Sequence, residues 1–519
     1  MPRDFFHDRY AGLLVPLFSI PSRRSWGIGE LWDLPALAAW MRDAGFSFVQ
    51  LLPLNEMAGG QNSPYSALSA MAIDPIFIAP LAVPEIEALG GEAVLDAGER
   101  RELEEVRRAP AIEYGRVRAL KTKAFRAAFA HFMEHEWRPR TPRARRLQRF
   151  TERARWWLAD YTLFRALHAR HDGGAWTDWA APLRDRDPAA IAAARSELAD
   201  EILFYAYLQW LAAEQWTLAR EAAEIGVFGD FPFMVSRDSA DVWSRQADFR
   251  MDASVGAPPD AFSETGQDWG FPAYRWDRIV GNGFQWLAAR ARRNAEIYDA
   301  YRVDHLVGFF RTYVRETDGR AGFVPADEPE QIRQGERVLE VLSASGARLI
   351  AEDLGVIPNF VRETLLRLGI PCFKVLRWER EWEQEGRPFR NPGHYPRVSV
   401  ATSGTHDTET NAQWWDEAPA DERRAVAAIL GEGRCDPEAP FDARVRDAIL
   451  DVLFLSASDI ALIPIHDVFG WRERINTPAL VSDANWTWRL PWPVDDLQTN
   501  PEAAERACYL RELIARSQR

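Results

Sequence analysis

Short apolar runs and longer stretches with helical periodicity alternate along the chain. Eight of the apolar runs end in polar turns that contain Gly or Pro. Near-continuous apolar runs of this kind are typical of strands that are buried on both faces of a parallel sheet. The predicted strands cover residues 12–20, 46–54, 227–233, 301–307, 348–352, 371–376, 398–404 and 459–465.

Helical patterns lie between many of these runs. In segment 33–44, Asp33 is a candidate N-cap, Pro35 stands in the first turn, and Gly45 follows as a stop signal. Comparable patterns predict helices near 284–295 and at 331–346 and 359–368, whereas 379–397 is predicted to be a loop. Eight strands separated by helices predict an α/β fold, a (β/α)8 TIM-type barrel.

A long block separates the second and third predicted strands. Residues 85–225 are rich in Ala, Arg and Glu and show helical periodicity, for example at Val117, Leu120, Ala124 and Ala128. The block is too long for one crossover helix. We therefore predict a single catalytic barrel domain over 1–519, with an inserted, mainly helical subdomain at 85–225 between the second and third strands.

Composition narrows the class of protein. Hydrophobic residues make up 47% and charged residues 27% of the 519 positions, which excludes a wholly disordered or collagen-like chain. The net charge of −14 argues against a nucleic-acid partner, because such a partner requires a basic surface. No window has the 18 or more apolar residues expected of a membrane helix, so we expect no membrane partner.

The number of cysteines and the N-terminal segment indicate the cellular compartment of the protein. The chain has three Cys, far apart in sequence and without a CxxC pair, which is typical of reduced thiols rather than disulfides or a zinc ribbon. The early apolar stretch 12–20 is preceded by charges and interrupted by Pro16, unlike a signal peptide. We expect a soluble, cytoplasmic protein.

The chain contains 22 Trp, many in segments rich in Gly, Pro and Asp that are predicted to be loops. Flat aromatic rings in polar loops suit stacking on sugar rings, but loop tryptophans also serve as packing residues. The tryptophans predicted on loops are Trp26, Trp243, Trp269, Trp276, Trp378, Trp486 and Trp488.

Acidic residues stand at the carboxyl ends of four predicted strands, where a parallel barrel places its catalytic side chains. They are Asp230, Asp304, Glu352 with Asp353, and Asp407. Basic residues lie beside them in sequence. Converging carboxylates together with aromatic loops leave two main options, a metal site or glycosidic-bond chemistry.

Glycosidic chemistry needs one ionised and one protonated carboxyl group. Arg302 and Asp304 lie two residues apart, so on a strand both point to the same side, and the Arg favours an ionised nucleophile. Glu352 ends an apolar strand, which suits a carboxyl group that keeps its proton. Each residue alone also fits a structural role: a structural ion pair for Asp304, a helix entry for Glu352 and a helix N-cap for Asp407.

Motifs along nearly the whole chain resemble those of one enzyme family. They are GLLVPLFSIPS, WGIGEL, NSPYSALSA, GDFPFMVSRDSADVW, GAPPDAFSETGQDWGFPAYRW, YRVDHLVGFFR, AEDLG, SGTHDTET, IPIHDVFG and NWTWRL. The chain resembles the 4-α-glucanotransferases of the amylomaltase (disproportionating enzyme) type, glycoside hydrolase family 77, a branch of the α-amylase superfamily.

The resemblance implies a retaining transfer of an α-1,4-glucan segment to the 4-hydroxyl of an acceptor sugar, without cofactor or metal. It implies maltooligosaccharides and starch- or glycogen-type α-glucans as donors, and glucose or a maltooligosaccharide as acceptor. It assigns Asp304 as nucleophile, Glu352 as acid/base and Asp407 as transition-state stabiliser. The implied sugar-binding residues are Arg302, His305, His406, Ser63, Tyr65, Asp230, Asp260, Gln267, Trp269 and Asn476.

Departures from the family pattern keep alternatives open. Thr408 and Glu409 follow Asp407 where the family usually has Asn and Asp, and 474–479 reads RINTPA instead of RMN-x-PG. These changes leave an α-1,4-glucan hydrolase as the main alternative. A non-catalytic glucan-binding protein and a metal-dependent hydrolase are the further alternatives.

Overall fold

Eight parallel strands close into a barrel at the centre of the computed structural model, which describes residues 9–259, 266–478, 480 and 482–519. Each strand pairs with its neighbours in chain order, and the last pairs with the first. The predicted (β/α)8 barrel is confirmed. The strands are β1 (Tyr10–Leu14), β2 (Phe48–Gln50), β3 (Gly226–Phe231), β4 (Ala300–Val303), β5 (Arg348–Ala351), β6 (Cys372–Val375), β7 (Ser399–Thr402) and β8 (Ile460–Pro464).

The strands are shorter than the apolar runs that predicted them. The run after β1, for example, continues into a buried 3-10 turn at Leu17–Ser19. Burial continues past the hydrogen-bonded ladder because the loops at the carboxyl ends pack over the barrel, and hydrophobicity alone does not distinguish a buried strand from a buried loop.

Close packing inside the barrel depends on a glycine. Gly12 of β1 stands opposite Phe48 of β2, and the Phe48 ring occupies the place where a Cβ at position 12 would lie. That ring stacks on Phe228 of β3 with centroids 4.0 Å apart. A side chain at position 12 would displace the stack, so glycine is required here by contact and not by backbone conformation.

Helices surround the barrel. The predictions for 331–346, 359–368, 33–44 and 284–295 are confirmed to within a few residues. The segment 379–397 is mainly loop, with an isolated bridge between Arg380 and Phe389 and a 3-10 turn at Pro392–His394. The C-terminal helix is joined to the first by a hydrogen bond from Trp40 Nε1 to the Ala503 carbonyl, 2.9 Å long. The helices packed around the barrel are Leu34–Asp43, Gln285–Ile297, Glu328–Ser343, Asn359–Leu368, Ala443–Phe454 and Pro501–Arg516.

Between β2 and β3 the chain is mainly helical. Val117, Leu120, Ala124 and Ala128, which carried the periodicity in the sequence, are all buried. We propose that 85–225 is an inserted subdomain, as predicted. Its helices are Pro84–Ala88, Ala97–Arg108, Tyr114–Phe132, Pro142–Arg170, Ala181–Arg184, Pro188–Glu197 and Ala199–Ala223. Among the described helices, none is long and apolar enough to cross a membrane.

Two antiparallel sheets that the sequence did not predict cover the carboxyl end of the barrel. One is a hairpin of Asn55–Met57 and Ala67–Ile73, and the other has four strands, Phe249–Ala257, Gln267–Tyr274, Thr312–Glu316 and Ala321–Val324. Trp269 therefore lies on a strand and not on a loop. The remaining short helices are Ala240–Ser244, Trp276–Gly281, Val307–Phe310, Asn411–Glu417, Ala420–Leu430 and Ile465–Phe469.

The tryptophans predicted on loops serve different purposes. Trp26 and Trp243 have no exposed surface, and Trp276 is also buried; the last two lie on helices, so the loop prediction was wrong for them. Their rings fill the interior. Trp378, by contrast, is 43% exposed.

Candidate active site

The carboxyl ends of β3, β4 and β5 bring three acidic side chains together. Asp230 stands opposite Arg302 in the register between β3 and β4. Asp304 directly follows β4, and the peptide N–H of Glu352 donates to the Val303 carbonyl at 3.2 Å. The parallel register thus places the ends of three neighbouring strands at one level.

One guanidinium group contacts all three carboxyl groups. Arg302 Nη1 donates to both oxygens of Asp230 at 2.9 and 2.7 Å, while Nη2 lies 2.9 Å from Asp304 Oδ1 and 3.2 Å from Glu352 Oε2. Burial opposes its charge, but the neighbouring carboxylates outweigh burial and hold the pKa of Arg302 well above its ordinary value. Because one cation faces three acids, a proton on one of the acids relieves their mutual repulsion.

Glu352 is the carboxyl group with the proton. Burial raises its pKa to about 7; Arg302 opposes this shift, and the charge of Asp304 adds to it. The Glu352 carboxyl also accepts a 2.6 Å hydrogen bond from the peptide N–H of His305. A carboxyl group with this pKa is able to donate a proton near neutral pH and to take it back. No helix begins here, since the next one starts at Asn359, so the helix-entry interpretation of Glu352 was wrong.

Asp304 and Asp230 differ in exposure. The Asp304 side chain is 23% exposed, whereas Asp230 has no exposed surface. Burial raises the pKa of Asp230 to about 6, although Arg302 and the hydroxyl of Tyr65, at 2.7 Å, stabilise its charge. Asp304 therefore faces the open pocket. Asp230 is placed to orient Arg302 and Tyr65.

Asp407 reaches the pocket from the turn after β7. Its Oδ1 accepts a 2.6 Å hydrogen bond from Asn476 Nδ2, and its Oδ2 lies 3.2 Å from His406 Nε2. Burial opposes ionisation, but His406 and Asn476 outweigh it and hold the pKa of Asp407 well below its ordinary range. Asp407 is thus a permanent carboxylate. Thr410, not Asp407, caps the helix that follows, so the N-cap interpretation of Asp407 was wrong.

We expect Asn476→Ala to lower kcat/KM by about tenfold to a hundredfold, the range for losing a hydrogen bond to a charged group. The substitution leaves Asp407 Oδ1 without its amide donor. The measurement is initial rates on maltotriose, with a thermal unfolding curve to show that the variant is folded. Wild-type rates in a folded variant would show that the amide is dispensable.

An aromatic cluster links Asp230 to Asp407, because Tyr65 donates to Asp230 and His406 pairs with Asp407. The Tyr65 and His406 rings stack with centroids 5.2 Å apart, and Trp486 lies 5.7 Å from each. Burial opposes the charge of His406, but Asp407 outweighs it and raises the His406 pKa. Ser63 accepts a 3.3 Å hydrogen bond from the Tyr65 N–H, so it shapes the turn that presents Tyr65.

His305 directly follows Asp304 in the chain. Its φ of 44° is in the left-handed region, which is rare outside glycine and occurs at strained functional turns. Its ring contacts Trp269 at 4.8 Å, edge to face, and burial lowers its pKa to about 4, so the imidazole is neutral. Trp269 Nε1 donates to Gln267 Oε1 at 3.0 Å. Asp260, the remaining predicted contact, lies outside the described residues.

Two sequence features turn out to be structural. Asp353 is buried and accepts a 3.1 Å hydrogen bond from the Phe373 N–H, so it does not join the other acids. Thr408 accepts a 3.0 Å hydrogen bond from the Thr405 N–H inside the turn, and Glu409 pairs with buried Arg377 at 2.8 Å. The departures after Asp407 are therefore engaged in the turn itself, and neither residue contacts the Asp407 carboxylate.

Sequence reasoning missed several groups that complete the site. Arg474 Nη2 donates to the Asp407 carbonyl at 2.8 Å, and the peptide N–H of Phe233 reaches Asp304 Oδ2 at 3.5 Å. The RINT motif at 474–477 could have indicated Arg474. The peptide N–H of Phe233 could not have been predicted, because every non-proline residue has one. In the described part of the chain, no group of three or more His, Cys, Asp and Glu side chains is arranged to hold a metal ion.

Comparison with known proteins agrees with this geometry. Residues 15–495 match the protein family described as 4-alpha-glucanotransferase. The chain is 34% identical to a 4-alpha-glucanotransferase of Thermus thermophilus, over 94% of this chain and 95% of that one. It is 32% identical to a 4-alpha-glucanotransferase of Chlamydia pneumoniae, over 94% and 92% of the two chains.

Two solved amylomaltase structures are similar to this chain in fold. An amylomaltase from Streptococcus agalactiae in complex with acarbose superimposes with a TM-score of 0.82 at 25% identity, covering 98% of this chain and 99% of that one. An amylomaltase from Corynebacterium glutamicum has a TM-score of 0.79 at 22% identity, covering 99% and 76%, and supports the fold.

Proposed function

Because the chain belongs to the 4-alpha-glucanotransferase family, glycoside hydrolase family 77, and acts as a transferase on α-1,4-glucans, we propose that Asp304, Glu352 and Asp407 carry out the transfer. Asp304 is the nucleophile, Glu352 the acid/base and Asp407 the transition-state stabiliser. The remaining side chains that line the pocket bind and orient the sugar.

The contact of Arg302 Nη2 with two carboxyl groups carries this proposal. The nitrogen lies 2.9 Å from Asp304 Oδ1 and 3.2 Å from Glu352 Oε2, so these oxygens are no farther apart than the two distances together. That limit fits a retaining pair, whose carboxyl groups are about 5–5.5 Å apart, and not an inverting pair at about 6.5–9.5 Å. A covalent glucosyl-enzyme with net retention follows.

In the first step, Asp304 attacks the anomeric carbon of the donor while the Glu352 proton passes to the glycosidic oxygen. The bond to the reducing-end fragment breaks, and an ester forms between the glucan and Asp304. Positive charge develops on the sugar ring, and the permanent carboxylate of Asp407 opposes it. Arg302 holds the Asp304 carboxyl in position through their 2.9 Å ion pair.

In the second step, Glu352 is a carboxylate and acts as base. It takes the proton from the 4-hydroxyl of an acceptor sugar, which attacks the anomeric carbon on the same face, and Asp304 leaves. The pKa of about 7 suits both roles. We propose maltooligosaccharides and starch- or glycogen-type glucans as donors, and glucose or a maltooligosaccharide as acceptor.

The product profile from maltotriose tests the proposal. We expect glucose together with a ladder of maltooligosaccharides longer than maltotriose, because a transferred segment adds to an intact acceptor. Chromatography of a time course resolves the products. Glucose and maltose alone would mean that water is the acceptor and would contradict transfer.

We also propose a cytoplasmic location. The three cysteines, Cys372, Cys435 and Cys508, are free thiols in the structure. Unpaired thiols are typical of a reducing compartment. Location by fractionation of the source cell tests this.

A further inference from the structure

The hairpin of Asn55–Met57 and Ala67–Ile73 carries Tyr65 into the active site. Tyr65 lies in the connecting loop, two residues before the second strand. Its hydroxyl donates to Asp230 at 2.7 Å, and its ring stacks on His406. The position of this hairpin therefore sets how Tyr65 meets groups at the ends of β3 and β7.

Backbone pairing within this hairpin is irregular. Glu56 pairs with Ser69, but the register shifts on either side of this pair. The first strand has three residues and the second has seven, so much of the second strand has no partner in the first. Bulges of this kind disrupt the hydrogen-bonded ladder, and the backbone alone then holds the register less firmly. Contacts from outside the hairpin are needed to hold the strand that leads to Tyr65.

A buried carboxylate in the first strand makes such contacts. Glu56 is only 2% exposed. Its Oε2 accepts a 2.6 Å hydrogen bond from the Tyr161 hydroxyl, and its Oε1 lies 3.2 Å from Arg165 Nε. Tyr161 and Arg165 are four residues apart on the helix Pro142–Arg170, so both project from the same face of that helix. Glu56 thus joins the first hairpin strand to a long helix.

The second strand is held by the same group of helices. The Gln209 side chain accepts from the Ile73 N–H at 3.1 Å and donates to the Ile73 carbonyl at 2.8 Å. Asp74, directly after the strand, has no exposed surface. Arg118 donates to both of its oxygens at 2.9 and 2.8 Å, and the Met57 N–H of the first strand donates to it at 3.1 Å. Side chains from the helices between β2 and β3 therefore hold both strands.

We propose that Glu56 is a positioning residue for the transfer reaction, which acts by fixing Tyr65 in the active site. Glu56, held by the helix Pro142–Arg170, fixes the strand that leads to Tyr65. Tyr65 in turn orients Asp230 and His406, the partners of the groups that carry out the transfer. The proposal rests on the proposed function, because that function supplies the reaction.

We expect Glu56→Gln to lower kcat for maltotriose by about tenfold, because a misplacement of about 1 Å in an active site can cost about 10²-fold. Glutamine has the size of glutamate and still accepts from the Tyr161 hydroxyl, but it gives Arg165 no charged partner. KM should change by less than about threefold, since the displaced groups act mainly in the transition state. Initial rates over a range of maltotriose concentrations separate kcat from KM.

Glu85→Gln is the matched control. Glu85 is also 2% exposed and has the same kinds of partner: the Tyr207 hydroxyl donates to it at 2.9 Å, and Arg143 donates to both of its oxygens. It lies on the helix Pro84–Ala88, outside the hairpin. Each substitution removes the charged partner of a largely buried arginine, so both should lower the unfolding temperature. Only Glu56→Gln should lower the kcat of the folded enzyme.

A double-mutant cycle tests whether Glu56 acts through Tyr65. In a Tyr65→Ala background the ring and hydroxyl that Glu56 positions are gone, so adding Glu56→Gln should lower kcat by less than about twofold. A purely structural effect would have the same size in both backgrounds. Tyr161→Phe removes one donor to Glu56 and should lower kcat by about threefold. It carries the same test if Glu56→Gln does not fold.

Amide hydrogen exchange gives a readout that needs no turnover. The Ala58 N–H donates to the Ser66 carbonyl at 2.8 Å and so closes the loop that carries Tyr65. We expect this amide to exchange faster in Glu56→Gln than in the parent or in Glu85→Gln, because the loop opens more often. Exchange at the parent's rate would contradict the proposal.

Three kinetic results would also overturn the positioning proposal. They are a kcat in Glu56→Gln that equals the parent's, an equal loss in Glu56→Gln and Glu85→Gln, and a loss that is undiminished in the Tyr65→Ala background. Failure of the proposed function gives a different result. The parent enzyme would then make no ladder from maltotriose, while the exchange measurement would still report on the loop.

Discussion

Asp304→Asn lowers kcat for maltotriose disproportionation by about four orders of magnitude or more, the size expected when a covalent nucleophile is removed. An amide oxygen does not displace the leaving sugar, so no glucosyl-enzyme forms. The substitution keeps the size of the side chain and an oxygen that faces Arg302 Nη2, now 2.9 Å from Oδ1. Substrate binding should therefore persist.

The matched control is Asp353→Asn, the same chemical change one residue beyond Glu352. Asp353 is buried and holds the Phe373 N–H, a bond that the Asn carbonyl oxygen also makes. We expect its rate to stay within about tenfold of the parent, since a structural substitution removes no transition-state contact. Rates are measured by release of glucose from maltotriose. Substantial transfer by a folded Asp304→Asn enzyme would rule out Asp304 as nucleophile.

Glu352→Gln has the second-largest expected effect, a loss of about 10²- to 10⁴-fold on maltotriose, the contribution of general acid–base catalysis. Glutamine neither gives a proton to the glycosidic oxygen nor takes one from the acceptor hydroxyl. A donor whose leaving group departs without protonation, α-maltosyl fluoride, should bypass the first of these steps. The glucosyl-enzyme would then accumulate on Asp304 and be detected by mass spectrometry.

The pH profile gives an independent readout of Glu352. Its pKa is raised to about 7, so the proton needed in the first step is present below pH 7 and lost as the pH rises through that value. The rate of the parent on maltotriose should therefore fall above about pH 7. In Glu352→Gln, the residual rate on maltotriose should not show this alkaline fall. An unchanged alkaline limb in the variant would assign the ionisation to another group.

Much of the site was contained in the sequence. Acids that follow successive buried strands in the sequence can be expected to meet in the structure. The reason is that a parallel barrel directs every strand's carboxyl end to the same face. Arg302 and Asp304 lie two residues apart, so the period of a strand alone places them on one side. Local periodicity and burial thus predicted the barrel, its order and three acids on neighbouring strands.

Other features depend on which loops pack together. The four-stranded sheet that carries Gln267 and Trp269 pairs segments up to about 60 residues apart, and no local pattern reports such pairing. Asn476 reaches Asp407 across 69 residues. Trp243 and Trp276 stand in turn-rich sequence, yet both are buried on helices.

Sequence by itself determined the strand order, the nature of the acids and the family. Only the tertiary structure decided which acid holds a proton, because the pKa values of Glu352 and Asp407 depend on burial and on neighbours from other strands. It also decided that the Asp230 side chain is fully buried while the Asp304 side chain is partly exposed. A residue's type is local, whereas its exposure and electrostatic surroundings are set by contacts between distant parts of the chain.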